Sequence, residues 1–200
     1  MARINLRPLF VRRFARARRG AVAVEFAFVA FPFLLLLFGI VELALVFTAA
    51  TTLEAATESA ARKIRTGEFQ TSAGNTKKDF RDLVCARMSW LSTPCVSNLY
   101  VDVRTFAIND YAGMSSLGAY DSTTFNANST CWASSQPTDI VLVRTYYTWN
   151  LFTPLLNSAL QNMGAGTGKR MLSSAAAFRT EPFNNNTPVG AQCVLGGQNG

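Results

Sequence analysis

The sequence predicts an α+β protein, in which a long N-terminal transmembrane helix continues into a small exported domain with antiparallel strands and short helices. Three observations support this class. An uncharged apolar stretch lies near the N-terminus, helical spacing of apolar residues continues after it, and later segments alternate between apolar and polar residues. A long helix, a short helix and then strands, in that order, are typical of an α+β domain.

The apolar segment reads AVAVEFAFVAFPFLLLLFGIVELALVFTAA over positions 21–50, and no charged residue occurs from Phe26 to Val41. About 20 to 25 helical residues cross a hydrocarbon core roughly 30 Å thick, so the segment predicts a single transmembrane helix. A cleaved secretory signal is the alternative. Its apolar region would be shorter and would lead into a small-residue cleavage site, whereas this segment continues into a helical pattern.

The positive charge of the protein is confined to its first residues. The net charge is +7, and seven arginines with no acidic residue precede Gly20. Because 7 of the 19 Lys and Arg residues lie there, 12 remain against 12 Asp and Glu, and the rest of the chain is formally neutral. A nucleic-acid partner would need a basic folded surface, so none is expected. The positive-inside rule predicts a cytoplasmic N-terminus, with residues after about 50 outside.

Gly20 stands at the junction between the arginines and the apolar segment, which reads RRGAVAVEF over positions 18–26. Basic residues, a glycine, four neutral residues, a glutamate and an aromatic residue resemble the recognition site of a prepilin peptidase. The resemblance implies cleavage after Gly20. Residues 1–20 would then be a cytoplasmic leader that is removed, and Ala21 would become the N-terminus.

The same resemblance implies a role in assembly for Glu25, the fifth residue of the processed chain, and for Phe26 beside it. A carboxylate at the edge of a membrane helix is costly when it is unpaired. In prepilin-like families this glutamate meets the N-terminal amine of a neighbouring subunit. The alternative is a glutamate that simply lies at the level of the lipid headgroups.

Pro32 and Glu42 are unusual residues for the interior of an apolar helix. Both are candidates for contact with a partner helix. Proline tends to kink or loosen a helix, although membrane helices tolerate it. Glu42 lies 17 residues after Glu25, on a different face of an ideal helix, and would either pair with a partner helix or lie at the outer interface.

Apolar residues continue at helical spacing beyond the membrane segment, with Gly67 as a natural stop. They are Leu53, Ala56, Ala60 and Ile64. One helix is therefore predicted from about 22 to 65. The predicted regions are a leader over 1–20, a transmembrane and stalk helix over 21–66, and an exported α+β domain over 67–200.

Periodicity and composition predict short helices and loops in the exported domain. Residues 68–76 are polar and predict a linker, whereas 77–91 predict an amphipathic helix with Phe80, Val84 and Met88 on one face. We expect this helix to end at Thr93-Pro94. Residues 109–137 predict a long loop, and Thr153-Pro154 predicts the start of another short helix.

Alternating residues predict three strands, over 98–108, 140–149 and 169–180. The first would place Leu99, Val101 and Val103 on one face. The chain after Glu181 is expected to be a loop.

Four cysteines follow the apolar segment, namely Cys85, Cys95, Cys131 and Cys193. On the exported side of a membrane they fit two disulfides in an oxidising compartment. The short loop favours Cys85–Cys95, which leaves Cys131–Cys193. Buried free thiols are the alternative.

The composition argues against an enzyme. Histidine is absent, so the commonest general base and metal ligand is missing. The cysteines are not spaced as zinc ligands, and no glycine-rich phosphate loop occurs. We expect no catalytic residues, no metal and no cofactor.

Three segments together resemble the TadE-like family of tight-adherence (Tad, Flp-type) pilus systems. They are GAVAVEFAFVAFPFLLLLFGIVELALVF, the alanine-rich AATESAARKIRTGEF and the C-terminal SAAAFRTEPF. The resemblance implies a pseudopilin or minor pilin, with membrane, prepilin peptidase, other pilin-like subunits and the Tad assembly platform as partners. Separation from the related TadF proteins stays open.

The resemblance therefore implies a processed subunit needed for assembly of a Tad-type (type IVc) pilus, and thus for adhesion. An uncleaved single-span anchor that holds a periplasmic scaffold against the Tad machinery is the alternative. A pseudopilin of type II secretion is disfavoured because its C-terminal pattern is not seen.

Overall fold

The computed structural model describes residues 18–72, 75–115, 117, 121–153, 155–184 and 194–195. The chain divides into two compact units, Met1–Leu43 and Ala44–Gly200. The described part of the first unit is the apolar part of a helix. The second is an α+β domain, and the predicted fold class is confirmed. The second unit begins at Ala44 because the end of the long helix belongs to its core.

Helix α1 (Arg18–Arg65) contains the whole apolar segment, and Pro32 lies within it without ending it. In the first unit, large apolar side chains are exposed from Val22 to Leu43, whereas Gly39 and Glu42 are buried. A helix that is apolar on every side suits a lipid environment.

The second half of α1 provides one side of the core of the second unit. Its buried side chains recur every three or four residues: Val46, Ala49, Leu53, Ala56, Ala60 and Ile64. The predicted helix and its apolar face are therefore confirmed. The helix ends at Arg65, and Gly67 then takes a φ of 78°, in the left-handed region that glycine adopts most easily.

Residues 68–76 do not form the predicted linker. Helix α2 (Glu68–Thr71) buries Phe69 and Gln70. The ring of Phe69 contacts that of Phe80, with 5.6 Å between the centroids. A single phenylalanine in a short polar segment has no periodicity, so its burial could not be predicted from a pattern.

Helix α3 (Lys77–Arg87) confirms the predicted amphipathic helix. Thr76 and Asp79 form a capping box at its start. Phe80, Val84 and Met88, the predicted apolar face, are fully buried.

The expected helix end at Thr93-Pro94 is wrong. A 3-10 turn (Ser89–Leu91) leads into helix α4 (Ser92–Asn98). Pro94 lies in the first turn of α4, where its missing N–H would have no helical partner in any case.

The remaining helices are short. Helix α5 (Tyr111–Ser115) and a 3-10 turn (Ala127–Ser129) interrupt the long predicted loop. Helix α6 (Asn157–Leu160) has Leu156 as its N-cap, so it begins later than the start predicted at Thr153-Pro154. Pro154 lies outside the described residues.

Five strands form one sheet with the order β4-β3-β1-β2-β5. They are β1 (Leu99–Phe106), β2 (Cys131–Trp132), β3 (Ile140–Asn150), β4 (Lys169–Arg179) and β5 (Val194–Leu195). The three predicted strands correspond to β1, β3 and β4, and their pairings are antiparallel. Leu99, Val101 and Val103 are buried in the core, as predicted.

Two short strands were missed. Strand β2 pairs with β1 in parallel, with Val103 opposite Trp132, so the sheet is mixed. Strand β5 pairs antiparallel with β2 in the segment expected to be a loop. Two-residue strands are too short for alternation to reveal them.

A disulfide joins Cys85 of α3 to Cys95 of α4, with their Cα atoms 5.5 Å apart. It closes the short loop favoured on sequence grounds and fixes two consecutive helices against each other. Cys131 is also disulfide-bonded. Cys193 lies outside the described residues, so its predicted pairing with Cys131 stays a prediction.

Candidate processing and assembly site

Gly20 is the third residue of α1, and the Gly20–Ala21 peptide bond lies in the first turn of the helix. A glycine there lowers helix stability by about 1 kcal/mol relative to alanine. The backbone does not adopt the left-handed conformation, and a Cβ atom added to Gly20 would meet no atom within 4 Å. Neither conformation nor packing within the described residues therefore explains this glycine.

Glu25 lies one helical turn after Ala21, and its side chain is exposed. Among the described residues it has no hydrogen bond or ion pair. A carboxylate inside an apolar segment is costly unless it finds a cation or hydrogen-bond donors. The position of Glu25 therefore favours a partner outside the chain or a location at the membrane surface.

Glu42 contrasts with Glu25, because only 2% of its surface is exposed. The two carboxylates lie 17 residues apart along α1, which corresponds to about 25 Å of helix. That length is close to the thickness of a hydrocarbon core, about 30 Å. A membrane containing this segment would have one glutamate near each of its surfaces.

A shallow apolar depression on the first unit is lined by Ala23, Val24, Ala27, Phe28 and Phe31. Ala23 and Ala27 are each two residues from Glu25, about 200° around the helix, so they lie on the opposite face from it. Small residues four positions apart allow another membrane helix to approach closely. The exposed ring of Phe26 lies in the same part of the helix. Whether Pro32 or Glu42 contacts a partner helix stays a prediction.

The sequence did not indicate a polar cluster on the sheet of the second unit, around the fully buried Asp102. Its carboxylate accepts hydrogen bonds from Arg144 Nε at 2.9 Å, Arg104 Nε at 3.2 Å and the Cys131 backbone N–H at 2.8 Å. The short Val-Asp-Val pattern in β1 was the available signal. This cluster holds β1, β2 and β3 together.

Lys77 is buried at the start of α3, where its Nζ donates to Thr130 Oγ1 at 2.7 Å. Burial lowers the pKa of Lys77, the nearby Asp102 carboxylate partly opposes this, and Arg81 lowers the pKa further. Within the described residues no group of His, Cys, Asp or Glu side chains could hold a metal ion.

A helix long and apolar enough to cross a membrane, followed by a small α+β domain, is the layout of a single-pass, pilin-like membrane protein. The family model described as TadE-like protein matches residues 20–62. The predicted resemblance is thereby confirmed over this segment. No curated protein and no solved structure matches the chain.

The match begins at Gly20 and ends at Arg62, so it includes the candidate site and the apolar segment. It shows that the long N-terminal helix is similar to that of TadE-like proteins, over about a fifth of the chain. TadE-like proteins are components of pilus structure and assembly, not a family of enzymes.

Proposed function

We propose that this chain is a pseudopilin or minor pilin, that a prepilin peptidase cleaves it after Gly20, and that a Tad-type pilus and its adhesion depend on it. The observation that carries the proposal is the glycine itself. Gly20 weakens the helix, fills no packing need and has no special backbone conformation. Recognition by a peptidase would explain why a glycine occupies this position, whereas the conformation and packing of the described chain do not.

Glu25 supports the proposal independently. Cleavage would create an ammonium group at Ala21, and this cation is a partner of the kind that the exposed Glu25 carboxylate lacks among the described residues. Ala21 and Glu25 lie only one turn apart on their own helix, about 6 Å along its axis. Pairing with the amine of a neighbouring subunit would therefore set the axial position of two helices to within one turn.

The same segment of the helix, on a face away from Glu25, also offers a surface for packing against another helix. The depression at Ala23 and Ala27 admits a second helix closely, and the surrounding aromatic rings offer contact area. Other pilin-like subunits and the Tad assembly platform are the proposed partners. By the positive-inside rule, the seven arginines before Gly20 support a cleavage site on the cytoplasmic side of the inner membrane, with the second unit on the outside.

The first experiment is intact-mass measurement of the protein isolated from its native membranes. We expect the mass of Ala21 to Gly200, with or without N-terminal methylation. A mass that still includes residues 1–20 would contradict processing and favour the uncleaved scaffold anchored by the same helix. Where Gly20 is substituted to test its recognition by the peptidase, Val22→Ala is the matched control. Val22 is an exposed neighbour in the same helix.

A second experiment separates processing from assembly. We expect Glu25→Ala to leave the cleaved mass unchanged and to abolish piliation, seen by electron microscopy and surface-adhesion assays. Glu54→Ala is the control, because Glu54 is an exposed glutamate on the same helix beyond the apolar segment. Normal pili in the Glu25 variant would rule out the proposed pairing.

A further inference from the structure

An exposed apolar surface lies at one end of the second unit. We call it the aromatic end patch, and it consists of Trp90, Trp149, Phe152 and Leu155. Trp90, Phe152 and Leu155 are 48%, 68% and 63% exposed. The buried ring of Trp149 lies between them, with centroids 5.9 Å from Trp90 and 5.8 Å from Phe152. The side chains of Trp90 and Phe152 therefore pack against the buried ring of Trp149 and stay exposed.

The internal contacts of the second unit show which end this is. Thr57 of α1 bonds to Thr145 in the middle of β3, and the carbonyl of Arg65 accepts from the N–H of Glu181 just beyond β4. Since β4 ends beside the start of β3, α1 and β3 run in opposite directions. The end of β3 that carries Trp149 therefore lies toward the Ala44 end of α1.

The core extends to that same end. Val46 and Ala49 are buried in one cluster with Trp149 and Leu151. The apolar run of the sequence ends at Phe47. The aromatic end patch therefore lies at the end of the second unit where the apolar run of the sequence enters it.

The charge around the patch fits a lipid surface. The residues around the patch, 88–101 and 146–173, contain no Asp or Glu. Lys169 and Arg170, at the start of β4, lie at this end, opposite Asn150 and Trp149 of β3. Basic residues beside exposed apolar rings favour anionic headgroups.

We propose that the aromatic end patch inserts into the headgroup region of the membrane's exported leaflet, with phospholipid, anionic lipid included, as its ligand. Tryptophan and phenylalanine at this depth bury apolar area while polar groups stay hydrated. The insertion holds the second unit against the membrane by a contact additional to the helix. It requires that the apolar segment spans a membrane, but it does not depend on cleavage after Gly20.

Fluorescence quenching by brominated lipids tests this insertion. The full-length protein is reconstituted into vesicles of phosphatidylethanolamine and phosphatidylglycerol, with bromine placed either high on the acyl chains or near their ends. The chain has three tryptophans, and Trp132 packs against Phe69 and Phe80 elsewhere in the domain. We expect bromine near the headgroups to quench more strongly than bromine near the chain ends.

Three variants identify the tryptophan and the side chains responsible for the quenching. Trp90→Phe should remove most of the quenching, whereas Trp132→Phe should retain it. Phe152→Ser combined with Leu155→Ser changes only exposed side chains and should also reduce the quenching, with circular dichroism showing an intact fold. Equal intensity in brominated and ordinary lipids would overturn the proposal. The proposal would also be overturned if the fluorescence emission maximum of Trp90 shifted with protein concentration in detergent while brominated lipids in vesicles left it unquenched. That result would indicate that the patch binds another protein. Intact mass tests processing separately.

Discussion

The hydroxyl oxygens of Thr57 and Thr145 lie 2.7 Å apart and form a hydrogen bond between α1 and β3 inside the domain. Both residues are fully buried. Each hydroxyl is therefore the other's available polar partner in an otherwise apolar interface, and the pair fixes the height of the helix relative to the strand.

Removing one of the two hydroxyls should destabilise the domain more than removing both. Thr57→Val or Thr145→Val leaves a buried hydroxyl without this partner and should cost about 1–3 kcal/mol, whereas the double variant should cost less than the sum. Denaturant unfolding of the full-length protein in detergent measures this. Thr51→Val, on an exposed part of α1, is the control and should change stability by less than about 0.5 kcal/mol. Simple additivity would contradict the pairing.

Neutralising Asp102 should be among the most damaging single changes in the domain. Asp102→Asn leaves Arg144 and Arg104 without their buried carboxylate, and breaking such a pair costs about 3–5 kcal/mol. The midpoint of thermal unfolding should fall accordingly. Asp121→Asn, in an exposed turn, should have little effect. Similar losses in both variants would show that the cluster does not stabilise the sheet.

Lys77 should make stability depend on pH in the alkaline range. Burial lowers the pKa of Lys77 below the value of 10.5 for a free lysine. Between the lowered pKa and 10.5 the unfolded chain binds more protons than the folded chain, so the free energy of unfolding contributed by Lys77 rises with pH. The stability of the wild type relative to Lys77→Met should therefore increase through this window.

Tyr147 supplies a control of opposite sign. Burial raises the pKa of its phenol above 10.0, so the folded chain retains a proton that the unfolded chain loses. The stability of the wild type relative to Tyr147→Phe should fall as the pH rises above 10. Unfolding curves of the wild type and the two variants across this range give both slopes. Slopes of the same sign would contradict the assignments.

Gly67 should tolerate alanine less well than Gly166 does. Both glycines have nearly the same φ, 78° and 77°, so both variants carry a left-handed alanine at about 1 kcal/mol. A Cβ on Gly67 would also collide with the side chain of Phe183, whereas one on Gly166 would meet no atom within 4 Å. Gly67→Ala should thus lower the unfolding temperature further. Equal shifts would show that Phe183 moves aside freely.

The elements that could be predicted are those with a sustained pattern. The apolar segment, α1, α3 and the three long strands each repeat apolar residues over enough positions to reveal the period. The candidate site was predicted from spacing, because a glycine and a glutamate five residues apart resemble a known processing site. The structure adds that Gly20 has no packing role and that Glu25 has no partner within the described chain.

What could not be predicted depends on contacts between distant residues. Asp102 occupies a strand position that alternation assigns to solvent, and it is buried because Arg144 and Arg104 lie beside it in space. Phe69 is buried because Phe80 and Trp132 are nearby. The aromatic end patch arises from two separate parts of the chain, around Trp90 and from Trp149 to Leu155.

The buried face of α1 has a practical consequence for anyone who designs a water-soluble version. A truncated gene that starts at Glu68, after the whole helix, would remove Leu53, Ala56 and their neighbours and leave one side of the sheet uncovered. The expressed product would expose apolar surface and aggregate. A useful truncation begins near Ala44 and replaces exposed apolar residues such as Phe47 with polar ones, since that keeps every side chain on which the domain closes.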